Sequence, residues 1–255
     1  MTRLPSTAAI LATALACALF VTGCASDSAF PTAEDLPALL AEAAAGTTVP
    51  RSQDDPARRA VRMSLRAMMH LDSLHVAEVG ARVRRPHLQG YFLYQDSYVG
   101  GDFPKQTAVI LREIERLVQD YVASLEGYPE VLRNTLASTD VPSDRQEALV
   151  AEMSAAYAAS QEVNIRVNRA LEKFVVEAAK GYELAAANPG AFSSTRAGLE
   201  VEGSALLSQS NRSVAAINRA GDELDVLLRS LTPEQSLPFS RMSLQTLVRE
   251  HPTGQ

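Results

Sequence analysis

The run from Asp144 to Ala187 contains no proline and, as one continuous helix, would be roughly 65 Å long. A helix of that length cannot be wrapped inside a small round core, so it commits the chain to an elongated helical packing. Its inward positions, Met153, Ala156, Ser160, Val163, Val167, Ala170 and Phe174, advance in alternating steps of three and four. Asn188-Pro189-Gly190 stops the run, and Ser193-Ser194 offers a cap for the next helix. That helix is predicted from Thr195 to about Leu231. It repeats the spacing in Leu207, Ser210, Val214, Ile217, Gly221, Leu224, Leu228 and Leu231. Two such stripes joined by a short loop predict an antiparallel helical hairpin over about 143–231. Neither helix can hide its stripe alone, so helices at about 56–83 and 105–137 are expected to cover the hairpin. The predicted fold class is therefore an all-α helical bundle. The richness in Ala, Glu and Arg, with no Trp and 5% aromatic residues, agrees with it.

The covering helices are read from their own signals. Leu36-Pro37-Ala38-Leu39-Leu40 opens a short helix that Gly46 ends, and Ser52–Asp55 with Pro56 opens the next. The apolar side of the 56–83 helix is read as Met63, Ala67, Leu71, Leu74 and, less regularly, Val79. Arg58, Arg59, Arg62 and Arg66 line another side, either as an anion-binding row or as a solvated face paired with acidic neighbours. The second reading is preferred. Val109, Ile110, Ile114, Leu117, Val118, Tyr121 and Leu125 form a stripe that Gly127 and Pro129 interrupt. A shorter helix from Pro129 to about Ala137 follows, and Ser143 with Gln146 reads as a capping box for the long helix. Between these helices, Tyr91, Tyr94 and Tyr98 share one face if the segment is helical. They are read either as a ligand or partner patch or, more often for such rings, as a plug for one end of the bundle. Pro233 and Pro238 close the bundle, Ser243 to Glu250 is expected to form one more short helix, and residues 251–255 are expected to fray.

The N-terminus has a different character. Arg3 is the only charge before Asp27, and residues 8–21 are almost all apolar. This is the layout of a secretory leader, too short for a comfortable permanent span. Val21-Thr22-Gly23-Cys24 follows, with small residues before the cysteine. The stretch resembles the lipobox of bacterial lipoproteins, with Val21 in the aliphatic position, Thr22 and Gly23 in the small positions and Cys24 as the modified residue. The resemblance covers the leader alone. It implies cleavage after residue 23, a thioether-linked diacylglycerol on Cys24, and further acylation of the new amino group. Ala25 and Ser26, rather than an Asp, follow the cysteine. By the same resemblance this points to the periplasmic leaflet of a Gram-negative outer membrane, with the inner membrane or the cell surface as alternatives. Residues 24–35 are expected to be a flexible tether and 36–250 a single helical domain.

With Cys17 removed in the leader and Cys24 acylated, no thiol is expected to be left for a disulfide. The net charge of −6, from 24 basic and 30 acidic residues, gives no invitation to nucleic acid. The chain has no HExxH, CxxCH, GxSxG or SxxK motif, and where a di-iron bundle needs Glu-x-x-His twice it offers only Asp72-x-x-His75. Met63, Met68, Met69, His70, Asp72 and His75 contain soft donors. Successive residues diverge by about 100° on a helix, so no metal site and no cofactor is expected. Asn164 and Asn168, beside Arg166 and Arg169, are polar insertions that can set helix register if buried but are expected to face solvent. The expected function is a non-enzymatic structural or protein-interaction module of the cell envelope, held by the lipid on Cys24 and acting on an envelope protein. Two alternatives are a carrier or sensor of a small or lipidic ligand near Tyr91, Tyr94 and Tyr98, and an enzyme whose site gathers residues such as His70, Asp72, His75 and Glu78.

Overall fold

A computed structural model describes residues 30–46, 55–85, 88 and 93–231. The leader, Val21-Thr22-Gly23-Cys24, Tyr91, and the expected helix over Ser243–Glu250 lie outside the described residues. The chain divides after Pro31, and Thr32–Gln255 forms one unit of its own. Its described part holds six α-helices: α1 (Leu36–Ala45), α2 (Pro56–Val83), α3 (Asp102–Glu126), α4 (Tyr128–Leu136), α5 (Ser143–Ala187) and α6 (Ser204–Ser230). A small antiparallel hairpin of β1 (Phe192–Thr195) and β2 (Gly198–Val201) sits between α5 and α6. The fold is an all-α bundle, as the periodicity predicts.

Helix α5 is the axis of the bundle. Its C-terminal half packs α3 on one side and α6 on the other, and its N-terminal half packs against α4. The main core joins Val79 and Val83 of α2, Ile110, Ile114 and Val118 of α3, Val167, Leu171, Phe174 and Val175 of α5, and Ile217, Leu224 and Leu228 of α6. On the exterior, Arg112 binds both carboxylate oxygens of Glu183, at 2.7 and 2.9 Å, which ties α3 to α5. Asp55 caps α2 by accepting from the backbone N–H groups of Ala57 and Arg58 at 2.8 and 3.0 Å, with Pro56 in the first turn. Gly46, at φ +66°, ends α1 in the left-handed conformation that glycine adopts without strain.

Several expectations are corrected. The hairpin does not turn through a short loop into a helix at Thr195. The chain instead pairs Phe192 with Val201 and Thr195 with Gly198, and Gly198 and Gly203 take φ of +133° and +91°. Thr195 Oγ1 closes this turn, accepting from Ala197 N–H and donating to the Gly198 carbonyl. Ser193 and Ser194 are thus strand residues, and α6 begins nine residues later than the sequence suggests. Ser143 is the first residue of α5 and not its cap. Gln146 donates to the Val141 carbonyl at 2.7 Å, so the capping box is absent. Residues 24–29 of the expected tether lie outside the described residues, and its last three residues are ordered structure. Residues 33–35 form a 3-10 turn, and Ala33 N–H donates to Glu152 of α5 at 2.8 Å.

Two stripes are also rotated. Helix α2 buries Ala57, Ala60, Val61, Ser64, Leu65, Met68, His75 and Val79. Of the stripe read from the sequence, only Val79 is buried, whereas Met63 is 58% and Leu74 45% exposed. Large side chains dominate a sequence reading, but the small Ala57, Ala60 and Ser64 let α2 approach its neighbours closely. On α6 the heptad holds from Ile217 to Leu231, while Leu207 and Val214 are exposed. The shorter α6 cannot cover all of α5, so Ser160 faces solvent.

Candidate functional site

The two described tyrosines of the expected patch, Tyr94 and Tyr98, are not on one helix. Leu93 has φ +65° and Tyr94 is extended, so Gln95–Tyr98 is a separate 3-10 turn. Tyr94 and Tyr98 therefore do not share a helical face. Tyr94 is exposed, whereas Tyr98 is buried and stacks on Tyr182 of α5 with ring centroids 4.7 Å apart and planes 4° from parallel. Tyr182 Oη accepts from Leu93 N–H at 2.7 Å and shares a hydrogen bond with Ser97 Oγ at 2.9 Å. Burial pushes the Tyr182 phenol up to about 12, against the opposing effect of those hydrogen bonds. Tyr98 thus plugs the end of the bundle where α5, α6 and the β-hairpin meet. The cavity beside it, lined by Gly181, Leu199 and Ser213 among others, is about 10 Å³.

The chemistry-bearing side chains converge elsewhere, between α2, α3 and α5. His75 Nε2 faces Asn168 Oδ1 at 3.2 Å, and Asn168 Nδ2 donates to Asn164 Oδ1 at 2.8 Å. Asn164 Nδ2 donates to Tyr121 Oη at 2.7 Å, and Tyr121 donates to Asp72 Oδ1 at 2.5 Å. With the proton on His75 Nε2, the four hydrogen bonds run in one direction, from imidazole to carboxylate, so each dipole reinforces the next. The His75 ring also lies flat on Tyr121, with centroids 3.9 Å apart and planes 3° from parallel. The chain thereby closes on itself, from α2 through α5 and α3 back to α2.

Electrostatics holds these groups in their resting forms. Burial raises the Asp72 carboxyl, and the Tyr121 hydrogen bond partly offsets that. Burial and the Asp72 carboxylate push the Tyr121 phenol far above its ordinary range, so it keeps its proton. Burial depresses His75, against the pull of Asn168 and the more distant Glu78. A neutral imidazole, a protonated phenol and two amides are thus joined in a closed sequence of four hydrogen bonds that links α2, α3 and α5.

Asn164 and Asn168 are therefore buried and not solvent-facing as expected. The signal was present in their four-residue spacing, which puts both amides on one face of α5. Tyr121, read as one member of an apolar stripe, is the hinge of the chain. Of the residues proposed for a scattered enzyme site, Asp72 and His75 come together, while His70 and Glu78 are exposed. Met68 is buried while Met63 and His70 are exposed, so the soft donors do not gather. Among the described residues no three His, Cys, Asp or Glu side chains are placed to hold a metal ion. Arg58 and Arg62 both pair with Glu42 of α1, at 2.6 and 3.3 Å, which agrees with the expected acidic neighbours, but Arg62 is buried and not on a solvated face. No described helix is long and apolar enough to cross a membrane. Comparison with protein families, with curated proteins and with solved structures finds no match to the chain.

Proposed function

We propose that this chain is a bacterial lipoprotein, anchored through acyl chains on Cys24 and facing the periplasm from the outer membrane. Its helical unit serves as a non-enzymatic structural or protein-interaction module of the cell envelope. The observation that carries the reading is the order of residues: one arginine, an apolar run, then Val21-Thr22-Gly23-Cys24 before a helical domain. Two or three acyl chains hold a protein at a bilayer firmly, where one holds it only marginally. Tethering confines the helical unit to a thin layer and raises its effective concentration against partners in that layer.

The closed hydrogen-bond sequence at Asp72, Tyr121 and His75 favours a structural role for the polar interior over a catalytic one. The carrier alternative needs a cavity near Tyr94 and Tyr98. The space beside Tyr98, about 10 Å³, is room for about one water molecule and favours the interaction reading.

The test is fractionation of cells expressing the natural chain and the Cys24→Ala variant. The natural protein is expected in the membrane fraction, extractable with detergent. The variant is expected either in the soluble fraction or as unprocessed precursor. Equal partitioning and equal processing of the two would overturn the reading.

A further inference from the structure

The outward stripe of α2, largely exposed among the described residues, has a chemistry of its own. Arg59, Met63, Arg66, His70 and Leu74 follow one another in steps of four, three, four and four, which keeps them on one side of a helix. Met63 is 58% and Leu74 45% exposed. Arg66 and His70 are exposed too, and Arg59 is half-buried. No acidic residue interrupts the stripe before Glu78, which lies at its edge. In a chain of net charge −6, this face joins apolar side chains with cations.

We propose that this face of α2 rests on an anionic bilayer surface, as a second membrane contact beside the anchor. The proposal rests on the lipoprotein reading for its geometry. Thr32 lies eight positions after Cys24, so the chain between them spans at most about 28 Å. Helices that lie in a membrane interface carry apolar residues flanked by Arg or Lys, the arginine stems lying along the apolar zone and the heads meeting phosphates. Met63 and Leu74 supply the apolar contact. Arg59 and Arg66 supply the cations, the Arg66 guanidinium lying beside Gly46 at the end of α1. The face carries no complementary acidic groups of its own, which argues against a second copy of the same stripe as its occupant. The rest of the negatively charged surface is repelled by anionic lipid, which turns this side toward the membrane.

The test uses the natural processed protein bearing an environment-sensitive fluorophore at Ala67→Cys on this face. A control carries the fluorophore at the exposed Asn218→Cys on α6, whose main partner is α5. Each is mixed with vesicles of phosphatidylcholine alone, or with roughly one third phosphatidylglycerol. The expected result is that the position-67 probe becomes accessible to a lipid-phase quencher roughly tenfold more in anionic vesicles, and less so at high salt. The Asn218→Cys probe stays aqueous in both. The double variant Arg59→Glu/Arg66→Glu is expected to abolish the response without changing the circular dichroism spectrum. An aqueous position-67 probe in both lipids, or an unchanged response in the double variant, would overturn the proposal. So would quenching lost on dilution of the protein alone, which would assign the face to self-association. Flotation in the same samples separates the two claims. A protein that fails to float with phosphatidylcholine lacks the anchor, whereas one that floats with both while its position-67 probe stays aqueous lacks only this contact.

Discussion

Helix α5 presents two sides that solve the same packing problem differently. Toward α3 and α2 it offers Asn164 and Asn168, and the interface is specified by directed hydrogen bonds that end on Tyr121, His75 and Asp72. Toward α6 it offers Phe174 and Gly181, and the interface is specified by shape. A methyl group on Gly181 would stand 3.0 Å from Ser213 Oγ and 3.2 Å from Ile217 Cδ1, so these α6 side chains pack directly on the bare backbone of α5 there. The Phe174 ring lies over Gly221 in the same seam. Polar bonds punish a wrong register because each unpaired buried group costs about 1–3 kcal/mol. Close small-residue packing supplies contact energy without buried polar bonds, and α6 has α5 and β2 as its main neighbours. The difference implies a firm three-helix body of α2, α3 and α5 and a more easily detached α6.

The comparison can be broken first at Phe174. Phe174→Ala is expected to cost about 3–5 kcal/mol in urea denaturation by opening a cavity between α5 and α6. Hydrogen exchange should then speed up in α6 more than in α3; equal acceleration in both would mean the seams are not separable. On the polar side, Asn164→Ala leaves Tyr121 Oη without its donor and Asn168 Nδ2 with the residue-164 backbone carbonyl in place of the amide oxygen it also bonds. A loss of about 1–3 kcal/mol is expected, with exchange rising across α2, α3 and α5 together.

A pH effect sharpens the contrast further. His75 has its folded pKa below the ordinary value of about 6.5. Its contribution to stability is complete above that value and declines as pH falls through it toward the folded pKa, at no more than about 1.4 kcal/mol per pH unit. Asp72 has its folded pKa raised and acts in the opposite sense at lower pH, gaining relative stability as it takes up its proton. Stability measured between roughly pH 7.5 and 5.5 is thus expected to fall in the natural protein. It should fall less in His75→Gln, whose amide can still donate to Asn168. An identical slope in the variant would remove His75 from the account. The smallest effect is expected at Lys173, whose ion pair with Glu223 bridges α5 and α6 in solvent. Lys173→Ala should cost about 0–1 kcal/mol, and a larger loss would mean the α6 seam depends on charge.

How much of this was legible in the sequence follows from what each signal depends on. The start of α2 at Asp55-Pro56, the break at Gly127 and the full span of α5 are written in local chemistry, and the structure follows them. The β-hairpin was missed because Ser193-Ser194 caps a helix as readily as it enters a strand, and only Gly198 and Gly203 argue for turns. The rotation of α2 was missed because Met63 and Leu74 outweigh Ala57, Ala60 and Ser64 on any hydrophobicity reading. Small residues become a core face only when a partner comes close. The polar chain lay beyond sequence reading for a related reason. Asp72 and His75 share a helix, but Tyr121 meets Asp72 across 49 residues of separation and Asn164 meets Tyr121 across 43.

Mass spectrometry of the natural protein's N-terminal peptide decides the proposed attachment through Cys24. The account predicts that the peptide begins at Cys24 and carries a diacylglycerol with at least one further acyl group. A peptide that begins at Met1, or one that begins at another residue without acyl mass, would contradict it.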